Sequence, residues 1–220
     1  MHRLRSTTAT FRVRAAAAAL PGFRAQAKAA ALFALLLLLL AAALLAPGCA
    51  SGVSEANRLV GEGESLRASA IDTFRRTTAA VDTLVRNASA GRPLTQNEVK
   101  AVTDTAVQDL NSALAGLAER NSKLNEAQGL GINDNYKDYL SLLKQSNNKL
   151  IEALNRAMEI PELLKKEQRS LAGWDEIKAQ QILNQISVME QSVEKAYAES
   201  ETLRIQAEQI RKDNPGDFGG

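Results

Sequence analysis

Apolar positions divide this chain into one unbroken block and four long periodic stretches. The block is Ala29 to Ala46, eighteen uncharged residues with Leu35 to Leu40 in one run. Beyond it, apolar residues recur at steps of three and four, the spacing of a single helix face. The first stretch runs from about Val53 to Ser89, through Ala56, Leu59, Leu66, Ala70, Phe74, Val81, Leu84 and Ala88. Gly61 and Gly63 weaken its opening turns by up to about 1 kcal/mol each against alanine, so a start near Glu64 is the alternative. The second stretch opens on Thr95-Gln96-Asn97-Glu98, a capping box in which the Thr95 hydroxyl and the Glu98 carboxylate satisfy each other's backbone amides. Its seam continues through Val102, Ala106, Val107, Leu110, Leu114, Leu117 and Leu124 to Gly129.

The third stretch opens at Asn133 or Asp134 and carries Tyr136, Tyr139, Leu140, Leu143, Leu150, Leu154 and Ala157. Pro161 disfavours helical geometry at Ile160, so a break there, followed by a short helix from Glu162 to Leu171, is expected over a mere kink. The fourth stretch, from about Trp174 to Lys212, is the most regular: Ile182, Ile186, Met189, Val193, Ala196, Leu203, Ala207 and Ile210 follow heptad spacing. Long helices with short connections lie side by side and antiparallel. The expected fold is therefore all-α: an elongated up-down-up-down bundle of four long helices with coiled-coil-like packing, spanning 55–213. Helices of about 34 residues make rods of roughly 50 Å. Residues 49–54 read as a tether and 214–220 as a loose tail.

Charge changes the picture at the amino-terminal end. Of 27 basic residues, Arg3, Arg5, Arg12, Arg14, Arg24 and Lys28 precede the apolar block, and no acidic residue does. That leaves 21 basic against 25 acidic residues from Cys49 onward, a net charge of −4 under an overall +2. A basic leader before an apolar block of spanning length is an export signal, either cleaved or retained as an anchor. The positive charge is thus an address and not a nucleic-acid surface, and no basic–aromatic interleave points to nucleic acid elsewhere.

Directly behind the block stands Leu45-Ala46-Pro47-Gly48-Cys49. It resembles the lipobox of bacterial lipoproteins, in which a cysteine follows small residues. The usual leucine lies one place earlier here, at Leu45. The resemblance covers about the first fifty residues. It implies cleavage after Gly48, a diacylglyceryl group on the Cys49 sulfur and an acylated new amino terminus. Residues 1–48 would then be a signal peptide, with a basic region to 28 and a hydrophobic region over 29–46. Stable attachment needs more than one acyl chain, a condition such a cysteine meets. The location implied is extracytoplasmic: the outer membrane facing the periplasm, or the outer leaflet of the inner membrane. In the family, an acidic residue after the cysteine retains the protein at the inner membrane; Ala50 and Ser51 stand here.

The chemistry available is narrow. His2 is the only histidine and Cys49 the only cysteine, so the region after Cys49 offers no His-based acid–base pair, no Ser-His-Asp or Cys-His arrangement and no nitrogen or sulfur zinc set. No catalytic residue, metal or cofactor is expected. Carboxylate pairs such as Glu159 with Glu162, Asp175 with Glu176 and Glu199 with Glu201 read as solvated helix surface, as do Arg75-Arg76 and Lys165-Lys166. Asn121, Asn147 and Ser200 fall on the seams, where each fixes helix register, lines a polar ligand pocket or, if the seam drifts, faces water. Asn121 and Asn147 are the candidate binding residues. The expected role is a lipid-anchored cell-envelope protein with a structural or protein-interaction task. The alternative is a small-ligand-binding or sensor-type bundle, recognisable by a cavity with convergent polar groups.

Overall fold

A computed structural model describes residues 48–92, 94–172 and 176–219, with the side chains of 48–51 and 176 excepted. Residues 1–47, on which the signal-peptide reading falls, and Trp174 therefore lie outside the described residues. Four long helices dominate: α1 (Gly48–Ser89), α2 (Gln96–Gln128), α3 (Asp134–Lys166) and, after the short α4 (Gln168–Ala172), α5 (Glu176–Asp213). A 3-10 turn, Pro215–Asp217, follows. There is no strand among the described residues. The chain runs up, down, up and down as expected. α1 pairs along its length with α2, α3 with α5, and α2 with α3 joins the two hairpins. Contacts between α1 and α5 are sparse.

The capping box forms as the sequence predicts. The Thr95 hydroxyl accepts from the Glu98 amide at 3.1 Å, and the Glu98 carboxylate accepts from the Thr95 amide at 2.8 Å. These bonds hold the Glu98 carboxyl below its ordinary value. Leu94 and Val99 are buried beside the cap, where a staple belongs. Thr95→Ala should lower stability by about 0.5–2 kcal/mol. A reduced urea midpoint at constant m-value is the expected reading, and an unchanged midpoint refutes it.

Four expectations are corrected. α1 runs unbroken through Gly61 and Gly63, as the main reading has it, but begins before Val53, at Gly48, so 49–54 are helix and not a tether. A long helix gains its stability from tertiary packing of one face, which outweighs two glycines. Gly52 lies against the α2–α3 connection so closely that a Cβ would sit 2.9 Å from the Gly131 carbonyl oxygen. Pro161 does not break α3, which runs through to Lys166. A proline removes one amide donor and crowds the preceding turn; here Ile160, Pro161 and Leu164 are all buried, and their packing holds the helix together.

The third correction is the tail. It is docked and not loose: Phe218 stacks on Tyr136 at 4.6 Å between ring centroids and meets Tyr139 edge-on at 5.2 Å. The Asn57 amide donates to the Phe218 carbonyl at 2.9 Å, and the Asn135 amide to Asp217 at 2.7 Å. The aromatic rings bury enough apolar surface to order the chain end. The fourth concerns the seams. The buried row of α2 is Val99, Thr103, Ala106, Leu110, Ala113, Leu117, Arg120, Leu124 and Ala127, a strict alternation of four and three. It takes in Thr103, Ala113 and Arg120 and leaves Val102, Val107 and Leu114 partly exposed.

Candidate functional site

Asn147 and Asn121, the candidate binding residues, part company in the structure. Asn147 is fully buried; Asn121 is partly exposed and donates to the Asn148 side chain at 2.9 Å. What fills the interior beside Asn147 is Arg120, whose side chain is also fully buried. Its guanidinium donates to the Asn147 amide oxygen at 3.0 Å and pairs with Glu64 of α1. The Asn147 amide nitrogen in turn donates to the Leu117 carbonyl at 2.7 Å. Burial pulls the Arg120 guanidinium below its ordinary value, opposed by the nearby Glu64 carboxylate. Gly63 makes room: a Cβ there would come within 3.3 Å of the Arg120 Cγ. The glycine that weakens α1 as a helix is thus the one that lets an arginine cross the core.

Two further polar links lie close by. Arg67 of α1, itself buried, pairs with Glu201 of α5. Ser146 and Ser200 exchange hydroxyl-to-carbonyl bonds, each 2.8 Å, clamping α3 to α5. Most of these groups are engaged with one another, while the buried Nε atoms of Arg67 and Arg120 have no hydrogen-bond partner. The layer ties all four long helices together, and the Asn147 amide is occupied on both sides, by Arg120 and by the Leu117 carbonyl.

Of the carboxylate pairs, Asp175 with the Glu176 side chain lies outside the described residues. Glu159 and Glu162 face solvent. Glu199 pairs with Lys149 at 2.8 Å, and Glu201 with Arg67 and Arg204. Lys165 pairs with Asp104 at 2.6 Å, while Arg75 and Lys166 are exposed. The Cys49 side chain lies outside the described residues. No helix among the described residues is long and apolar enough to cross a membrane.

At the end where α1 starts, Tyr136 and Tyr139 pack beneath Phe218. The Tyr136 hydroxyl bonds Asn57 at 2.8 Å. Burial pushes the Tyr136 phenol up from 10.0 to about 12 and raises Tyr139 as well. A raised phenol favours the neutral form in the fold. Its contribution is present in full below pH 10.0 and is lost as pH climbs through about 12. The tyrosinate absorbance of wild type minus Tyr136→Phe should show one phenol titrating near 12; titration near 10 refutes the burial argument.

An actual cavity lies elsewhere, on the side where α1 and α5 barely touch. Arg67–Glu201 bridges that seam, and one level beyond it Phe74 and Tyr197 stack at 6.3 Å. Beyond the stack the seam opens into a groove of about 590 Å³. Its floor is apolar, with Val81, Leu110, Ile160 and Val193; its rim carries Asp82, Glu190 and Glu194 against one cation, Arg86. Burial and the neighbouring Asp82 and Glu194 carboxylates lift the Glu190 carboxyl above its ordinary value. Sequence reading missed Arg120, Arg67 and this groove. A strict heptad count forward from Val99 would have landed on Arg120, but nothing local marks which seam of a bundle stays open. Comparison with protein-family models, curated proteins and solved structures yields no match.

Proposed function

We propose that this protein is a lipid-anchored, non-catalytic helical bundle of the bacterial cell envelope that engages a helix of a protein partner along the outer face of α5. Export and acylation rest on the apolar block and on Leu45-Ala46-Pro47-Gly48-Cys49. Because α1 begins at Gly48, lipid on Cys49 would sit at the end of the rod with no flexible spacer. The bundle would then stand at the membrane surface, on the outer membrane facing the periplasm or on the outer leaflet of the inner membrane. Cys49→Ala should abolish both the acyl chains and the cleavage after Gly48, so the variant should stay in the membrane fraction with the mass of the full chain and no lipid. The mass of the wild-type membrane form should lack residues 1–48 and carry acyl chains; a form retaining 1–48 means an uncleaved anchor instead.

The interaction role rests on one observation. α5 carries a second heptad row on its outer side, from Ile177 through Val188 to Ile205, and every position in it is exposed. Ile177, Val188 and Ile205 are 76%, 67% and 65% exposed. Gln181, Asn184 and Gln191 stand between them, and Lys195 is the one charge in the row. A row with heptad spacing and a single charge suits a second helix lying alongside, with a largely uncharged seam of its own. A photo-crosslinker at Val188 or Gln191 should give one discrete adduct in cells, and one at exposed Asn155 of α3 should not. Val188→Glu with Ile205→Glu should abolish the adduct and leave the protein at the membrane. Equal adducts from both faces refute the reading; a self-adduct makes the occupant a second copy.

A second reading, a small-ligand-binding bundle, is favoured by the groove between α1 and α5, whose size falls in the usual range of small-molecule sites, about 300–1,000 Å³.

A further inference from the structure

We infer that the groove between α1 and α5 is a binding site for a small organic cation: an ammonium or amidinium group joined to an apolar body. The inference rests on the second reading above and gives it a ligand class. Three independent observations converge on it.

The first is a hydroxyl without a partner. Thr77 lines the groove, is 5% exposed, and its Oγ1 makes no hydrogen bond. Some threonines in these helices satisfy their hydroxyl by bonding back to the carbonyl one turn earlier. Thr83, Thr103 and Thr202 all do so, each at 2.9 Å. Thr77 does not, and a buried unpaired hydroxyl is unfavourable unless a ligand completes it. The second is Pro161, also in the lining. Having no amide hydrogen, it withholds the usual helical donor from the carbonyl of Ala157, another groove residue. The Ala157 carbonyl thus lacks its usual amide donor within α3.

The third is the charge of the rim. Asp82, Glu190 and Glu194 give three negative charges against Arg86, a net of −2 over an apolar floor. No salt bridge among the described residues takes up any of the three carboxylates. A positive group placed among them relieves their repulsion and replaces part of the solvation that burial removes from Glu190. The apolar body would rest on Val81, Ile160 and Val193, with Phe74 and Tyr197 closing the far end, where ring faces also attract a cation.

The test uses three isosteric probes: 4-phenylbutylammonium, 4-phenylbutanol and 4-phenylbutanoate. They are titrated into the folded bundle with amide-resolved NMR as the readout. The ammonium should bind about tenfold or more tightly than the alcohol, and the carboxylate weakest, with shifts at Val81, Val85 and Val193. One tenfold step corresponds to about 1.4 kcal/mol. Glu190→Gln should remove most of the ammonium's advantage and leave alcohol binding unchanged. The same variant should melt at or above the wild-type temperature, because it removes a strained carboxylate, so lost binding will not be lost folding. Thr77→Val should weaken the ammonium by a smaller factor. Equal binding of all three probes overturns the cation assignment and leaves a ligand groove standing. No shift with any probe overturns both.

Discussion

Replacing Arg120 with alanine is expected to destabilise the bundle by about 3–5 kcal/mol. Whole domains of this size are stable by only about 5–15 kcal/mol. The variant should therefore unfold at a far lower urea concentration than wild type. Two effects add. The aliphatic stem vanishes from a fully buried position and leaves a cavity against Gly63, where no side chain can collapse inward. The Asn147 amide oxygen also loses its buried donor. Glu64 adds little, because its side chain is 39% exposed and water can take over. Arg120→Met keeps most of the volume and should lose only about 1–3 kcal/mol, the share of the orphaned Asn147 oxygen. Adding Asn147→Leu to that variant removes the orphan and should restore most of the loss, since buried polar groups exchanged together for apolar ones are often close to neutral. An Arg120→Ala protein within about 1 kcal/mol of wild type would mean that the layer is ornamental.

Ser200→Leu should cost up to about 3 kcal/mol, the upper part of the range for overpacking a filled core. Ser146 and Ser200 are fully buried, and their hydroxyl oxygens lie 3.2 Å apart. Each hydroxyl reaches the other helix's backbone, so α3 and α5 approach as closely as small side chains permit. A leucine must push the helices apart along the seam they share most fully. Alanine at both positions is the control. It preserves the close approach and removes donors whose target carbonyls lie inside regular helices, so it should cost about 1 kcal/mol or less. Chemical denaturation of the two variants separates volume from hydrogen bonding; similar losses in both would refute the packing argument.

Much of the architecture was legible from local pattern. The period of three and four, the Thr95–Glu98 box, the Asn133 cap and the terminating Asn214-Pro215 each act through neighbours a few residues away. Such signals survive in a linear string. The seam residues were read less well, because the reading followed hydrophobicity and the heptad admits any side chain that can be satisfied. Arg67, Thr77 and Arg120 sit at seam positions that an apolar filter passes over. Asn147 stood on a seam with an inward and an outward placement both open, and the structure puts it inside. Its partner was not seen, because Arg120 lies 27 residues away on another helix.

Pro161 and the tail show the same division from the other side. Proline carries a strong local preference to end a helix, yet α3 continues because Ile160, Pro161 and Leu164 are buried together. Gly216 and its polar neighbours look like a loose end, yet Phe218 finds two tyrosines at the foot of α3.

By itself, then, the order of residues determined the helical class, the number and direction of the rods, and the scarcity of acid–base and metal-binding groups after Cys49. Those depend on short-range periodicity and on composition. Only the tertiary structure decided which helix pairs close and which seam stays open, where the buried arginine finds its partners, and which acidic side chains meet over an apolar floor. Each of these joins groups from different helices. Their encounter is set by the rotation and packing of whole rods, and no window along the chain contains it.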